Sequence, residues 1–198
     1  MKATGIVRRI DDLGRIVIPK EIRKVLRIKE GDPLEVFTDR EGQVILKKYS
    51  PIGELSEFAA GYAETLSKTT GHIACITDKD TVIAVSGGSK KEFLEQDISP
   101  ELEQLMEDKE IYTSKENSDI SMPITRNDKN ERKYNAQVVY PIISNGDTIG
   151  TVILMSKEAN KKMNDVEKKV AQSAATFLGT QIGRAHVWTP VTTISRMP

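Results

Sequence analysis

The apolar pattern changes period several times within the first fifty residues. Thr4 to Asp11 (TGIVRRID) reads as a strand, Asp-Leu-Gly as a turn and Arg15 to Ile18 as a second strand. Pro19 ends that strand and suits the first turn of a helix over Lys20–Leu26, in which Ile22, Val25 and Leu26 share one face. Gly31-Asp32-Pro33 breaks the chain, and Leu34–Thr38 and Gln43–Lys48 then read as a hairpin around Asp39-Arg40-Glu41-Gly42. A β-β-α-β-β unit this small buries only about 60% of its unfolded surface, so pairing with a second chain is expected to complete its core.

Tyr49-Ser50-Pro51 marks a boundary, after which the period lengthens. Ile52, Leu55, Phe58, Ala59, Tyr62, Ala63 and Leu66 recur at three- and four-residue steps, predicting a helix. Strands are expected over His72–Thr77, Thr81–Ser86, Asn135–Ile143 and Thr148–Ser156, the last two joined by Ser-Asn-Gly-Asp, a strong hairpin signal. Two short helices are expected around Lys91–Gln96 and Pro100–Asp108. A final helix, capped by Asn164 or Asp165, carries Val166, Val170, Ala174, Phe177 and Leu178 on one face. Ser114 to Lys133 reads as partly loop. The whole predicts an α+β fold in two domains, residues 1–50 and 53–181.

Charge sharpens that division. The 198 residues carry no formal net charge, yet residues 1–50 hold twelve basic against eight acidic side chains, while residues 51–182 hold fifteen against twenty-one. A basic module followed by an acidic one points to a nucleic-acid-facing half and a half with another task. Arg8 and Arg9 precede the first turn, Arg15 follows it, and Arg23 and Lys24 lie on the helix. These are the candidate DNA-contacting residues, since such side chains link to phosphates and arginine also forks onto guanine edges. Ordinary solvated charge accounts for them equally well on composition alone.

Other chemistry is sparse. The one cysteine, Cys75, excludes an intrachain disulfide and sits in an apolar strand, where a buried small hydrophobe is the expected role. No ligand cluster surrounds His72, and no Walker or dinucleotide fingerprint occurs. Ser86-Gly87-Gly88-Ser89-Lys90 could offer backbone donors to an anion, although glycines that serve a turn explain it better. No nucleophile–base pair stands out, so no enzyme activity, cofactor or metal is expected. With no signal peptide and no apolar run of membrane-spanning length, the expected location is the cytoplasm, on the nucleoid. Residues 182–198 (IGRAHVWTPVTTISRMP) lose all periodicity. A nucleotide sequence encoding them, with one TGA read as Trp188, resembles a sequencing-library adaptor, and the segment is expected to be a non-native tail.

Residues 2–48 resemble the swapped-hairpin DNA-binding module of the AbrB and MazE transition-state regulators. The stretches "TGIVRRIDDLGRIVIPKEIRKVLRIKEGDPLEV" and "GQVILKKY" carry the likeness. The resemblance implies that two chains interlace their hairpins into one β-barrel and that Arg8, Arg15, Arg23 and Lys24 contact double-stranded DNA. Lys24 stands where many members have arginine, which keeps the charge without the fork. With "SGGSKKEFL" and "VYPIISNGDTIGTVIL", the second half resembles the GAF-like domain of sporulation regulators that carry an AbrB-type module. That resemblance implies a homodimer through the first domain and a homotetramer through the second. It also implies a sensing domain for an unidentified small molecule, and activation or repression of sporulation genes. The competing expectation is an antitoxin of the same type, binding its own operator and a toxin through a disordered second half.

Overall fold

The computed structural model describes residues 5–52, 56–114, 121–128, 134–158 and 163–187, the last five as backbone only. The chain divides into two compact units, Met1–Tyr49 and Ser50–Pro198.

In the first unit, helix α1 (Lys20–Val25) is followed by the antiparallel hairpin β1 (Leu34–Thr38) and β2 (Val44–Lys48), in register from Leu34 opposite Lys48 to Thr38 opposite Val44. Helix α1 ends in a Schellman turn. Arg27 takes a left-handed φ of 52°, its N–H reaches the Lys24 carbonyl, and the Ile28 N–H reaches that of Arg23 at 2.8 Å. Residues 5–10 and 15–19 run without regular strand pairing, contrary to the strands expected there, and no closed barrel forms among the described residues of the single chain. The physical reason is the ladder itself. A strand exists by bonding to a neighbour, and among the described residues no ladder joins either arm to β1, to β2 or to the other arm. Only Pro19 of the described part of this unit is buried.

The second unit is built around a five-stranded antiparallel sheet in the order β4-β3-β7-β6-β5. Its strands are β3 (Ile73–Thr77), β4 (Val82–Ser86), β5 (Tyr112–Thr113), β6 (Ala136–Ser144) and β7 (Asp147–Ser156), with helix α2 (Ser56–Thr70) before them. Helices α3 (Lys90–Phe93) and α4 (Pro100–Asp108) separate β4 from β5, and α5 (Asp165–Val187) closes the chain. Strand alternation sorts the core into two layers. Ala74, Val138, Val152 and Leu154 pack with Ala63, Leu66, Ala171 and Leu178 of α2 and α5; Cys75, Val139 and Ile153 face Phe93, Leu102 and Ile124 on the other side.

Local chemistry explains most boundaries. Ser99 caps α4 by accepting the Leu102 N–H at 3.0 Å, with Pro100 in the first turn. Asn145 and Gly146 both take positive φ, 51° and 89°, as the tight β6–β7 hairpin requires. Glu167 accepts the Asn164 N–H at 2.9 Å, the reciprocal half of a capping box at the start of α5. Two glycines allow backbones to touch: a Cβ on Gly150 would land on the Thr77 carbonyl, and one on Gly179 would land on that of Ile143. Helix α5 continues past residue 181, and Ile182 is buried in the core. Most of the expected tail, residues 188–198, lies outside the described residues, as does most of the expected loop over residues 114–133.

Candidate nucleic-acid interface

The turn that joins the two extended arms of the first unit is organised by one carboxylate. Asp11 Oδ1 accepts the backbone N–H groups of Leu13 at 3.1 Å and Arg15 at 2.8 Å, and Oδ2 accepts Arg15 Nε at 2.8 Å. The backbone closes beneath it: the Asp11 N–H reaches the Arg15 carbonyl at 3.0 Å and the Gly14 N–H the Asp11 carbonyl at 2.9 Å. Gly14 supplies the left-handed φ of 76° that the turn demands. Arg15 is thereby held at the tip with its side chain 70% exposed. Hydrogen bonds from the Arg15 backbone, and then from its side chain, keep the Asp11 carboxyl below its ordinary range.

The other four basic residues are spread over two segments. Arg8 and Arg9 are exposed on the first arm, and Arg8 borders an open groove lined also by Ile6, Ile16, Ile18, Ile22, Leu26 and Leu46. Lys24 is exposed on α1; Arg23 is half-buried, and its Nε has no hydrogen-bond partner among the described residues. The groove is apolar apart from Arg8. Lys48, by contrast, is a structural cation, bonding the Arg27 carbonyl at 3.1 Å and Asp32 at 3.2 Å. Asp11 is the residue that sequence reading passed over; the signal was an acid four positions before an arginine across an Asp-Leu-Gly turn.

The second unit shows what became of its own candidates. Cys75 is fully buried, and burial drives its thiol far above the ordinary value, so it is a packed hydrophobe and not a nucleophile. At Gly87 a Cβ would strike the Ser67 hydroxyl and approach the His72 carbonyl to 3.0 Å, which explains the glycine by packing. His72 is buried with Glu167 Oε1 3.6 Å from Nε2, and neither ring nitrogen has a hydrogen-bond partner among the described residues. Burial pushes the Glu167 carboxyl up, but backbone N–H donors of Glu167 and Asn164, with His72, outweigh it and leave it below its ordinary range. No group of three or more potential metal ligands occurs among the described residues. Nor is any described helix long and apolar enough to cross a membrane.

Comparison with known proteins decides the family. Residues 54–183 match the profile described as stage V sporulation protein T C-terminal, transcription factor, and residues 7–54 match that of the MazE antidote-toxin recognition antitoxins. Stage V sporulation protein T of Bacillus subtilis is 50% identical over 182 residues, which cover 92% of this chain and 99% of that protein. The chain belongs to the stage V sporulation protein T family. It is therefore a sporulation transcription factor that joins an AbrB-like module to a second, larger domain. The transition state regulatory protein AbrB of Bacillus subtilis is 59% identical over 51 residues, 26% of this chain and 52% of that protein. The GAF domain of Thermosynechococcus elongatus PixJ superposes with a TM-score of 0.55 at 14% identity, covering 71% of this chain and 91% of that one. At that identity the likeness shows the fold alone: the second unit is a GAF-type α+β domain.

Proposed function

We propose that the chain regulates transcription by gripping double-stranded DNA through a homodimer of residues 1–50, with Arg8, Arg9, Arg15, Arg23 and Lys24 of each copy meeting the duplex. The observation that carries this reading is Arg15, held outward at the turn by Asp11 on a unit whose apolar face lies open. A second copy laid on that face completes the barrel and doubles the basic residues on one surface. Residues 53–181 act as the regulatory domain, and Phe58, Tyr62 and Phe177, clustered on α2 and α5 with centroids 5.5 to 6.1 Å apart, offer an aromatic face for joining dimers into a homotetramer. The GAF-type fold suits a small-molecule effector, and no catalytic role is assigned to it. Ile182 belongs to the core, and residues 184–198 carry no role in this reading. The antitoxin alternative needs an unstructured second half, whereas the described residues of the second unit hold two packed core layers.

Salt dependence tests the contact assignment. If four of these five residues in each chain of the dimer meet phosphates, the slope of log K against log salt is about −7. A slope near zero removes the assignment, and Arg15→Ala is expected to weaken binding while leaving the oligomer intact.

A further inference from the structure

The carboxylate at the turn stands where a DNA-binding surface has least use for negative charge. Asp11 lies between the arms that carry Arg8, Arg9 and Arg15, and an acid beside phosphate lowers attraction to every duplex alike. Its hydrogen bonds show what offsets that cost. One oxygen is spent on the Leu13 and Arg15 backbone N–H groups, which fixes the carboxylate relative to the turn; the other holds Arg15 at Nε. An Nε contact leaves Nη donors of the planar guanidinium available to a second partner. An exposed arginine otherwise samples many rotamers, and each must be given up when a base or phosphate is bound.

We infer that Asp11 is a positioning residue that aims the Arg15 guanidinium and raises the ratio of sequence-specific to non-specific DNA binding. The inference rests on the reading of residues 1–50 as a DNA-binding dimer and adds a selectivity device to it. Two opposing effects produce the selectivity. The negative charge weakens all DNA binding, and the pre-aimed fork restores affinity only where acceptors stand in its path.

Asp11→Asn separates the two duties, because an amide oxygen still accepts the Leu13 and Arg15 backbone N–H groups while the charge that grips Nε is gone. The full chain is titrated against an operator duplex recovered from bound genomic fragments and against a random-sequence duplex of equal length. Asp11→Asn is expected to bind the random duplex more tightly and the operator more weakly, lowering their affinity ratio about tenfold. In an Arg15→Ala background the same substitution is expected to leave operator affinity without that loss. Asp11→Ser, which keeps a short oxygen acceptor, is read in the same way if Asp11→Asn fails to fold. An unchanged ratio in a folded variant, with Arg15→Ala still weakening operator binding, overturns the inference and spares the DNA-binding reading. Arg15→Ala binding both duplexes like the parent overturns that reading instead.

Discussion

The two units of this chain handle their hydrophobic residues in opposite ways. In the second, strand alternation delivers most of the sheet's apolar side chains to one of two closed layers, and Leu154 is fully buried. In the first, residues just as apolar remain at the surface: Val7 is 86% exposed and Val25 82%. The composition of the two halves does not account for this. The difference is where the partner surface comes from. The second unit has strands of up to ten residues and long helices to fold back over its sheet, while the first has only a short helix and a hairpin of two five-residue strands. A chain that short can specify a core without being able to enclose it.

The largest expected effect tests that contrast directly. Leu46→Asp places a charge in the apolar groove of the first unit. If a second copy covers the groove, the substitution should abolish dimerisation of this module and lower DNA affinity at least about a hundredfold, read by gel-shift titration and light scattering. A groove open to water in the working protein would make it an ordinary surface change, within about 0.5 kcal/mol. Next in size, Leu154→Ala should cost the second unit about 2–5 kcal/mol in denaturant unfolding, since Ala74 and Val138 lie opposite it on both neighbouring strands and cannot collapse into the gap. A loss below 1 kcal/mol would mean that this layer is looser than its burial implies.

The smallest effect concerns acid. Glu167 titrates below its ordinary value of 4.5 in the folded chain. Its contribution is therefore present above that value and is lost as pH falls through the lower folded one. Unfolding followed from pH 6 to pH 3 should show the second unit losing up to about 1 kcal/mol from this group, with a shallower decline in Glu167→Gln. Equal acid limbs would remove Glu167 from the account.

Much of the second unit was legible because its determinants are local. The Ser-Asn-Gly-Asp turn, the Ser99-Pro100 start of α4 and the apolar spacing of α2 each need only a few neighbouring residues. What escaped depends on distance in the chain. Gln137 reads as a polar interruption of a strand, yet it is fully buried because its amide bonds both the N–H and the carbonyl of Met122 at 3.0 Å. In the first unit the extended arms were expected as strands; the ladder that would define them has no partner inside one chain. The five basic residues are candidates by residue type and by the family resemblance, whereas the grip of Asp11 on Arg15 is a matter of geometry that charge counting does not see.

Gly179 sets a limit on how the larger domain can signal. Helix α5 rests so near β6 that the Ile143 carbonyl occupies the place of a side chain. A slide of α5 along its axis by about one turn, 5.4 Å, would bring the Cβ of a residue on the same face, such as Ala175, against that carbonyl. Any message sent through this helix is therefore carried by movements shorter than one helical turn.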